Sequence, residues 1–397
     1  MDEKVAMETE IEPEEQEEPQ DSLLVLSELQ YKMQTSFFSA SEKTDAKSEM
    51  LKLIKDSAMA PFYSYICEAM GWKVDEKLLG EMKKTNEETM KKMQDTLQDA
   101  TKNRGETEVR DAKVAIAKHY GTIGDKKETL EKIKEVLEET VGTGQKIDLV
   151  FVIIRLGLAF NDIKLVKEYV TTAKSLVEKG GDWERRNLLK VYEATYLVRI
   201  RSFKEATDLF VDSVATFTAT ALCSYESLVF YTVITSMISL DRLSLRKKVV
   251  RSPEILQVVQ DMPKVQTLIN SLHDCKYADL FSVLVEISNM LKRDRYFAPH
   301  CGWWLREMRI VAYSQFLRSY RSVTLGSMAK TFGVGTDFLD KELARFIAAG
   351  RLNCKVDQVN KIIETNRPDA KNAQYTEIIA KGDALLARIQ KLSIELT

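Results

Sequence analysis

Residues 322–352, SVTLGSMAKTFGVGTDFLDKELARFIAAGRL, decide how the fold is read. Leu325, Met328, Ala329 and Phe332 recur at three- and four-residue steps and predict one short amphipathic helix. Gly333 is placed to supply the left-handed residue that ends it. Thr336 is suited to cap a second helix, and Asp337 to its positive end. Phe338, Leu339, Leu343, Phe346 and Ile347 form the apolar stripe of that helix, which Gly350 closes. Leu352, Cys354 and Val356 then alternate with polar residues, and VNKIIET (359–365) returns after a short turn, which predicts a hairpin. Strand end, helix, turn, helix and hairpin make a winged helix over about 302–366.

A winged helix that reads DNA turns basic and amide side chains of its second helix to the major groove. Here the expected outer face carries Asp337, Asp340, Lys341, Glu342 and Arg345, three acids against two bases. Phosphates would repel that surface, so no specific nucleic acid is expected. Such a module still offers a sheet edge on which a neighbour's strand can pair. Leu352, Cys354, Val356 and Ile362 are the candidate residues of that edge.

Upstream, no proline occurs between Pro61 and Pro253, which leaves room for helix after helix. Turn signals recur near 104, 122, 143, 161, 181 and 201. Each interval of about 20 residues holds one helix and a short loop, so two helices make a repeat of about 39 residues. Leu130, Ile133, Val136, Leu137 and Val141 form one stripe; Val166, Tyr169, Val170, Ala173, Leu176 and Val177 form another. Isolated helix pairs cannot bury such stripes, so the pairs must stack. Residues 23–220 are read as a helical-repeat solenoid, with the segment before residue 100 preceding or capping the stack. Beyond 221, LVFYTVITSMISL (228–240) is apolar but too short to span a membrane. RLSLRKKVVR (242–251) is a basic patch suited to an acidic partner or nucleic acid, or to a solvated loop.

The chain closes on one long helix over 370–397. Tyr375, Ile378, Ile379, Leu385, Leu386, Ile389 and Leu392 make a coiled-coil-like stripe along it. Nothing follows that could cover the stripe, so association with other subunits is expected there, with folding back onto the chain as the competing reading.

The opening 21 residues hold ten acids and one lysine, without an aromatic residue. Residues 1–22 therefore read as a disordered acidic tail. The remainder carries a small positive charge, since the whole chain stands at −2. Cys67, Cys223, Cys275, Cys301 and Cys354 are odd in number and far apart, which points to reduced thiols inside the cell. No signal peptide or 18-residue apolar run is read. His119, His273 and His300 lie in no metal-ligand pattern, Gly333 and Gly335 lack the rest of a phosphate loop, and no serine sits in GxSxG. No catalytic residue, cofactor or metal is expected.

A mainly α chain, with a right-handed helical-hairpin (TPR-like) solenoid running into a winged helix and a terminal helix, resembles the PCI family. Its members are scaffold subunits of the proteasome lid, the signalosome and a large translation initiation complex. FAPHCGWWLREMRIVAYSQFLRSYRSVTLGSMAKTFGVGTDFLDKELARFIAAGRLNCKVDQVNKIIETNRPD (297–369) and YTEIIAKGDALLARIQKLS (375–393) carry the likeness, and resemble the proteasome-lid branch. That resemblance implies a PCI domain over 221–369 and a bundle helix over 370–397. It implies a non-catalytic scaffold in a hetero-oligomer, in cytoplasm and nucleus. Its partners would be other PCI lid subunits, the lid's metal-dependent deubiquitinase and the proteasome ATPase ring, with no membrane. A signalosome scaffold, a nucleic-acid-associated PCI protein of translation initiation and an unrecognised enzyme are the competing expectations.

Overall fold

A computed structural model describes residues 20–103, 105–366 and 370–396. Residues 1–19, 104, 367–369 and 397 lie outside that set. The disorder expected through residue 22 does not hold for Asp21 and Ser22. The Asp21 carboxylate accepts the Leu23 N–H at 3.0 Å, caps helix Ser22–Gln34, and pairs with Arg155 at 3.1 Å.

Contacts divide the chain into two compact units, Met1–Ile269 with Glu286–Gly302, and Asn270–Val285 with Trp303–Thr397. The helices between 221 and 269 thus pack with the first unit. Helices Glu76–Asn103, Glu106–Ile123, Lys126–Glu139, Thr143–Ala159, Ile163–Gly180, Trp183–Arg199 and Phe203–Ser213 follow one another, each packed on the next. Three of the turns between them share one device. Gly124, Asn161 and Arg201 adopt left-handed φ of 81°, 57° and 67°. In each, the next N–H reaches back five residues: Asp125 to Tyr120 O at 3.2 Å, Asp162 to Gly157 O at 2.8 Å, Ser202 to Leu197 O at 2.9 Å. In the second of these pairs the Leu165 and Val166 side chains pack directly onto Gly157, where a Cβ would stand 2.8 Å from their methyls.

The stripe expected through Val141 and the place expected for the N-terminal segment both differ in the structure. Val141 lies beyond helix Lys126–Glu139 and is 91% exposed. Thr140 turns the chain into an extended conformation and is buried in its place, its hydroxyl donating to Val136 O at 2.7 Å. The N-terminal segment does not simply precede the stack, since helix Ser22–Gln34 packs against Thr143–Ala159 in its middle.

A polar clasp over Asp294–His300 ties this unit together. The Arg295 guanidinium donates to the Ser27 hydroxyl and to the carbonyls of Leu158 and Ala159, at 2.5 and 2.9 Å for the latter two. Those carbonyls belong to the end of helix Thr143–Ala159, where helices lack acceptors' partners and favour a cation. Asp294 accepts the Tyr231 hydroxyl at 2.6 Å and the N–H groups of Tyr296 and Phe297 at 2.8 and 2.9 Å. Burial pushes the Asp294 carboxyl up, against the lowering effect of those donors. Arg199 donates to Arg295 O at 3.1 Å, and the His300 ring lies 3.0 Å from Arg199 O.

In the second unit, β1 (Ser322–Thr324), β2 (Cys354–Asp357) and β3 (Ile362–Thr365) form an antiparallel sheet in the order β1-β3-β2. Helices Leu325–Phe332 and Thr336–Ala348 complete the winged helix. Phe332 is its hub, with ring centroids 4.7 Å from Tyr277, 4.9 Å from Tyr313, 5.2 Å from Phe281 and 5.5 Å from Phe316. Gly333 has φ 66° and Gly350 φ 68°, as the turns require. Thr336 is not the cap. Gly335 takes that position without a side-chain bond, while Thr324 caps the preceding helix by accepting Ser327 N–H at 3.3 Å.

Candidate assembly interfaces

The wing presents its backbone, not the side chains expected of it. Leu352 and Cys354 are buried in this chain's own module, and Val356 and Ile362 are half-buried. Burial also raises the Cys354 thiol pKa, so it is not a reactive group. Ile362 sits on β3, which is paired on both sides, so the sheet's edges are β1 and β2, and the candidate residues at an edge are those of β2. Leu325 N–H donates to Lys361 O at 2.8 Å and Thr365 N–H to Arg321 O at 2.9 Å, which sets the register of β1 on β3. Asn366 N–H donates to Asn353 O at 3.0 Å and sets that of β2 on β3. Strand alternation then turns the backbone groups of Lys355 and Asp357 inward to β3, and those of Cys354 and Val356 outward to the edge. The hairpin tip is rigidified by Asp357, whose carboxylate accepts Val359 N–H at 2.9 Å and the Asn360 amide at 2.8 Å. Those bonds hold its pKa below the usual carboxylate value.

The terminal helix Ala370–Leu396 is the opposite case. Tyr375, Ile378, Ile379, Leu385, Leu386, Ile389 and Leu392 are each between 53 and 64% exposed, and Ile394 is exposed too. Every residue from 374 to 394 is open to solvent. Fully burying one such side chain is worth about 1.5–3 kcal/mol. Together they form a contiguous apolar stripe that no described residue covers.

The outer face of helix Thr336–Ala348 differs from expectation at Glu342 and Phe338. Glu342 does not face outward; it is buried, accepts the Tyr313 hydroxyl at 2.7 Å and pairs with Arg309 at 3.0 Å. Burial, then that bond to Glu342, drives the Tyr313 phenol far above its ordinary pKa. Phe338, expected in the stripe, is 48% exposed. The outer face therefore holds Asp337, Asp340, Lys341 and Arg345, which balance to zero and still lack a duplex-binding excess of positive charge. His300 and Cys301 serve packing. The imidazole accepts Arg201 Nε at 3.3 Å, and the Cys301 thiol lies 3.6 Å from the Ser288 hydroxyl.

The sequence profile of the family described as 26S proteasome subunit RPN7 matches residues 75–248, and that of the PCI domain matches 280–367. A relative from Arabidopsis thaliana, called 26S proteasome non-ATPase regulatory subunit 6 homolog, is 49% identical over 352 residues, 89% of this chain and 91% of its own. The subunit 6 of Dictyostelium discoideum is 45% identical over 88% of this chain and 92% of its own. Regulatory subunit RPN7 of Saccharomyces cerevisiae is 38% identical over 92% and 91%. The chain belongs to the RPN7 family of 26S proteasome subunits. The RPN7 match lies within the stacked helices of the first unit, and the PCI match takes in the whole winged helix. Neither profile reaches helix Ala370–Leu396.

The clasp at Asp294–His300 escaped the sequence reading. DRY at 294–296 did offer a signal: ionisable residues between an amphipathic helix and Pro299 need buried partners if that junction packs.

Proposed function

We propose that this chain is a non-catalytic scaffold subunit of the lid of the 26S proteasome regulatory particle, supporting ubiquitin-dependent protein degradation. Membership of the RPN7 family carries the reading, because the relatives are named as proteasome regulatory subunits across nearly their whole length. The signalosome and translation-initiation alternatives find no such relative among these. The open β2 edge pairs with a neighbouring PCI subunit, and the stripe from Tyr375 to Leu392 enters a bundle with helices of other lid subunits. The stacked helices face the ATPase ring and the lid deubiquitinase, in cytoplasm and nucleus. Cleavage and deubiquitination belong to those partners. Affinity purification of the tagged chain, with subunit identification by mass spectrometry, tests this. Recovery of PCI lid subunits and proteasome ATPases is expected. Recovery of signalosome subunits without ATPases would overturn it.

A further inference from the structure

We propose that the basic ledge at 242–251 holds the acidic N-terminal segment of the same chain. Helix Arg242–Leu245 runs directly into a wide helical turn, Arg246–Val250. Leu245 and Val249 are buried and anchor it, while Arg246, Lys247, Lys248 and Arg251 are exposed on its outside. Among the described residues none of these four cations forms an ion pair. The acids flanking the ledge are engaged locally: Asp241 accepts bonds from Ser244, and Glu254 accepts the Ser252 hydroxyl at 2.7 Å. No acid interrupts the run from Arg242 to Arg251, whereas the lysines of Glu76–Asn103 and Lys126–Glu139 alternate with glutamates.

The other half of the argument is where the acidic segment is tethered. Residues 1–19 contain nine acids and one lysine. The described chain starts beside them, with Asp21 N–H bonded to Ala221 O at 3.0 Å. Ala221 shortly precedes helix Tyr225–Ser239, whose far end leads into the ledge. That helix is about 22 Å long, and 19 extended residues reach about 60 Å, so the tether spans the distance with slack. A segment so close acts at an effective concentration of order millimolar, ahead of any free polyanion. The ledge thus has an occupant of matched charge, and the inference does not depend on the proteasome reading.

Zero-length carbodiimide crosslinking of the full-length chain, read by mass spectrometry, tests it. Carboxylates of Glu8 to Glu15 are expected to join Lys247 or Lys248 at a yield independent of protein concentration. The yield should fall at least about fivefold between ~0.05 M and ~0.5 M salt as charges are screened. It should fall as much in Arg246→Glu with Arg251→Glu, which keeps both lysines and changes only exposed side chains; circular dichroism checks the fold. Crosslinks spread evenly over the chain's lysines, or ledge crosslinks that survive the double substitution, overturn the proposal. So does a yield that rises with protein concentration. Single-stranded RNA bound by the full-length chain through the ledge, without tail crosslinks, overturns it in favour of a nucleic-acid site.

Discussion

Helix Leu325–Phe332 and helix Ala370–Leu396 carry the same kind of sequence signal and meet opposite fates. In the first, Leu325, Met328, Ala329 and Phe332 all close onto the module's own core. In the second, seven large apolar side chains at equivalent spacing remain more than half exposed. Periodicity says that a face will be covered; it does not say by which chain. What separates the two is the supply of neighbours: Phe332 meets four aromatic rings contributed by the flanking helices, whereas no described element covers the stripe of the terminal helix.

The contrast can be broken most sharply by exchanging the insults. Phe332→Ala empties the centre of the aromatic cluster and should cost about 3–5 kcal/mol, enough to unfold the winged helix. Denaturant unfolding followed by circular dichroism measures it. Leu385→Asp with Ile389→Asp places two charges in the exposed stripe and should leave that unfolding curve unchanged. Native-gel assembly of the same variant should show incorporation into the larger complex abolished. If the double substitution unfolds the chain instead, the stripe belongs to this chain's own core.

The clasp gives a second effect. Arg295→Ala would remove a donor from the Leu158 and Ala159 carbonyls and from the Ser27 hydroxyl. Leu158 O keeps Asn161 N–H at 3.3 Å and the Ser27 hydroxyl still donates to Leu24 O at 2.6 Å, so the Ala159 carbonyl is the group left short. An orphaned buried group costs about 1–3 kcal/mol, so the melting transition of the first unit should drop by a few degrees. Arg295→Lys restores charge without the forked donor geometry and should recover only part of the loss.

How much was legible follows from which interactions are local. The stacked helices, the turns at 124, 161 and 201 and the strand–helix–helix–hairpin order all rest on signals within about ten residues, and the sequence reading placed them. The clasp joins Ser27, Leu158, Arg199 and Arg295, which are distant in sequence, and no local pattern brings them together. Glu342 misled for a related reason: a carboxylate on a helix reads as solvated until Tyr313 and Arg309, some thirty residues away, are seen to enclose it. At the wing, alternation identified the hairpin. It could not tell that β3 would be central, because sheet order is fixed by β1, which lies before the two helices. The candidate interface residues were therefore found as a strand pair, while the open edge itself was visible only in the fold.

That edge yields a smaller and more discriminating pair of substitutions. Val356→Pro removes an N–H that faces outward, so the internal ladder survives and stability should fall by less than about 1 kcal/mol. Lys355→Pro removes an N–H bonded to β3 and should cost about 3 kcal/mol. If the edge joins a neighbouring PCI domain, Val356→Pro should block co-assembly while its unfolding curve stays near that of the unaltered chain. Normal co-assembly would remove the β2 edge from the interface and leave the terminal helix as the surviving candidate.

The smallest effect is a titration that the exposed terminal helix cannot show, because it carries no histidine. His300 is buried against Phe203, and its Nε2–H donates to the Arg199 carbonyl while Nδ1 accepts from Arg201. Burial lowers its pKa; the Arg199 carbonyl opposes that, and the charges of Arg201 and Arg199 add to the lowering. Burial alone lowers that of His119. A histidine held neutral in the fold binds its proton more readily in the unfolded chain. The unfolded state therefore carries more protons once the pH falls below about 6.5, the ordinary histidine value. Stability from both rings is fully present above that pH and is lost as the pH falls through their lower folded values. Each ring contributes a slope of at most roughly 1.4 kcal/mol per pH unit. Denaturant midpoints between pH 7 and 5.5, above the main carboxylate range, should decline accordingly. His300→Asn should lower the midpoint at pH 7, because a hydrogen-bonded ring is lost, and should flatten the decline below it. A decline of unchanged steepness in that variant would assign the effect to His119 or to groups outside the clasp.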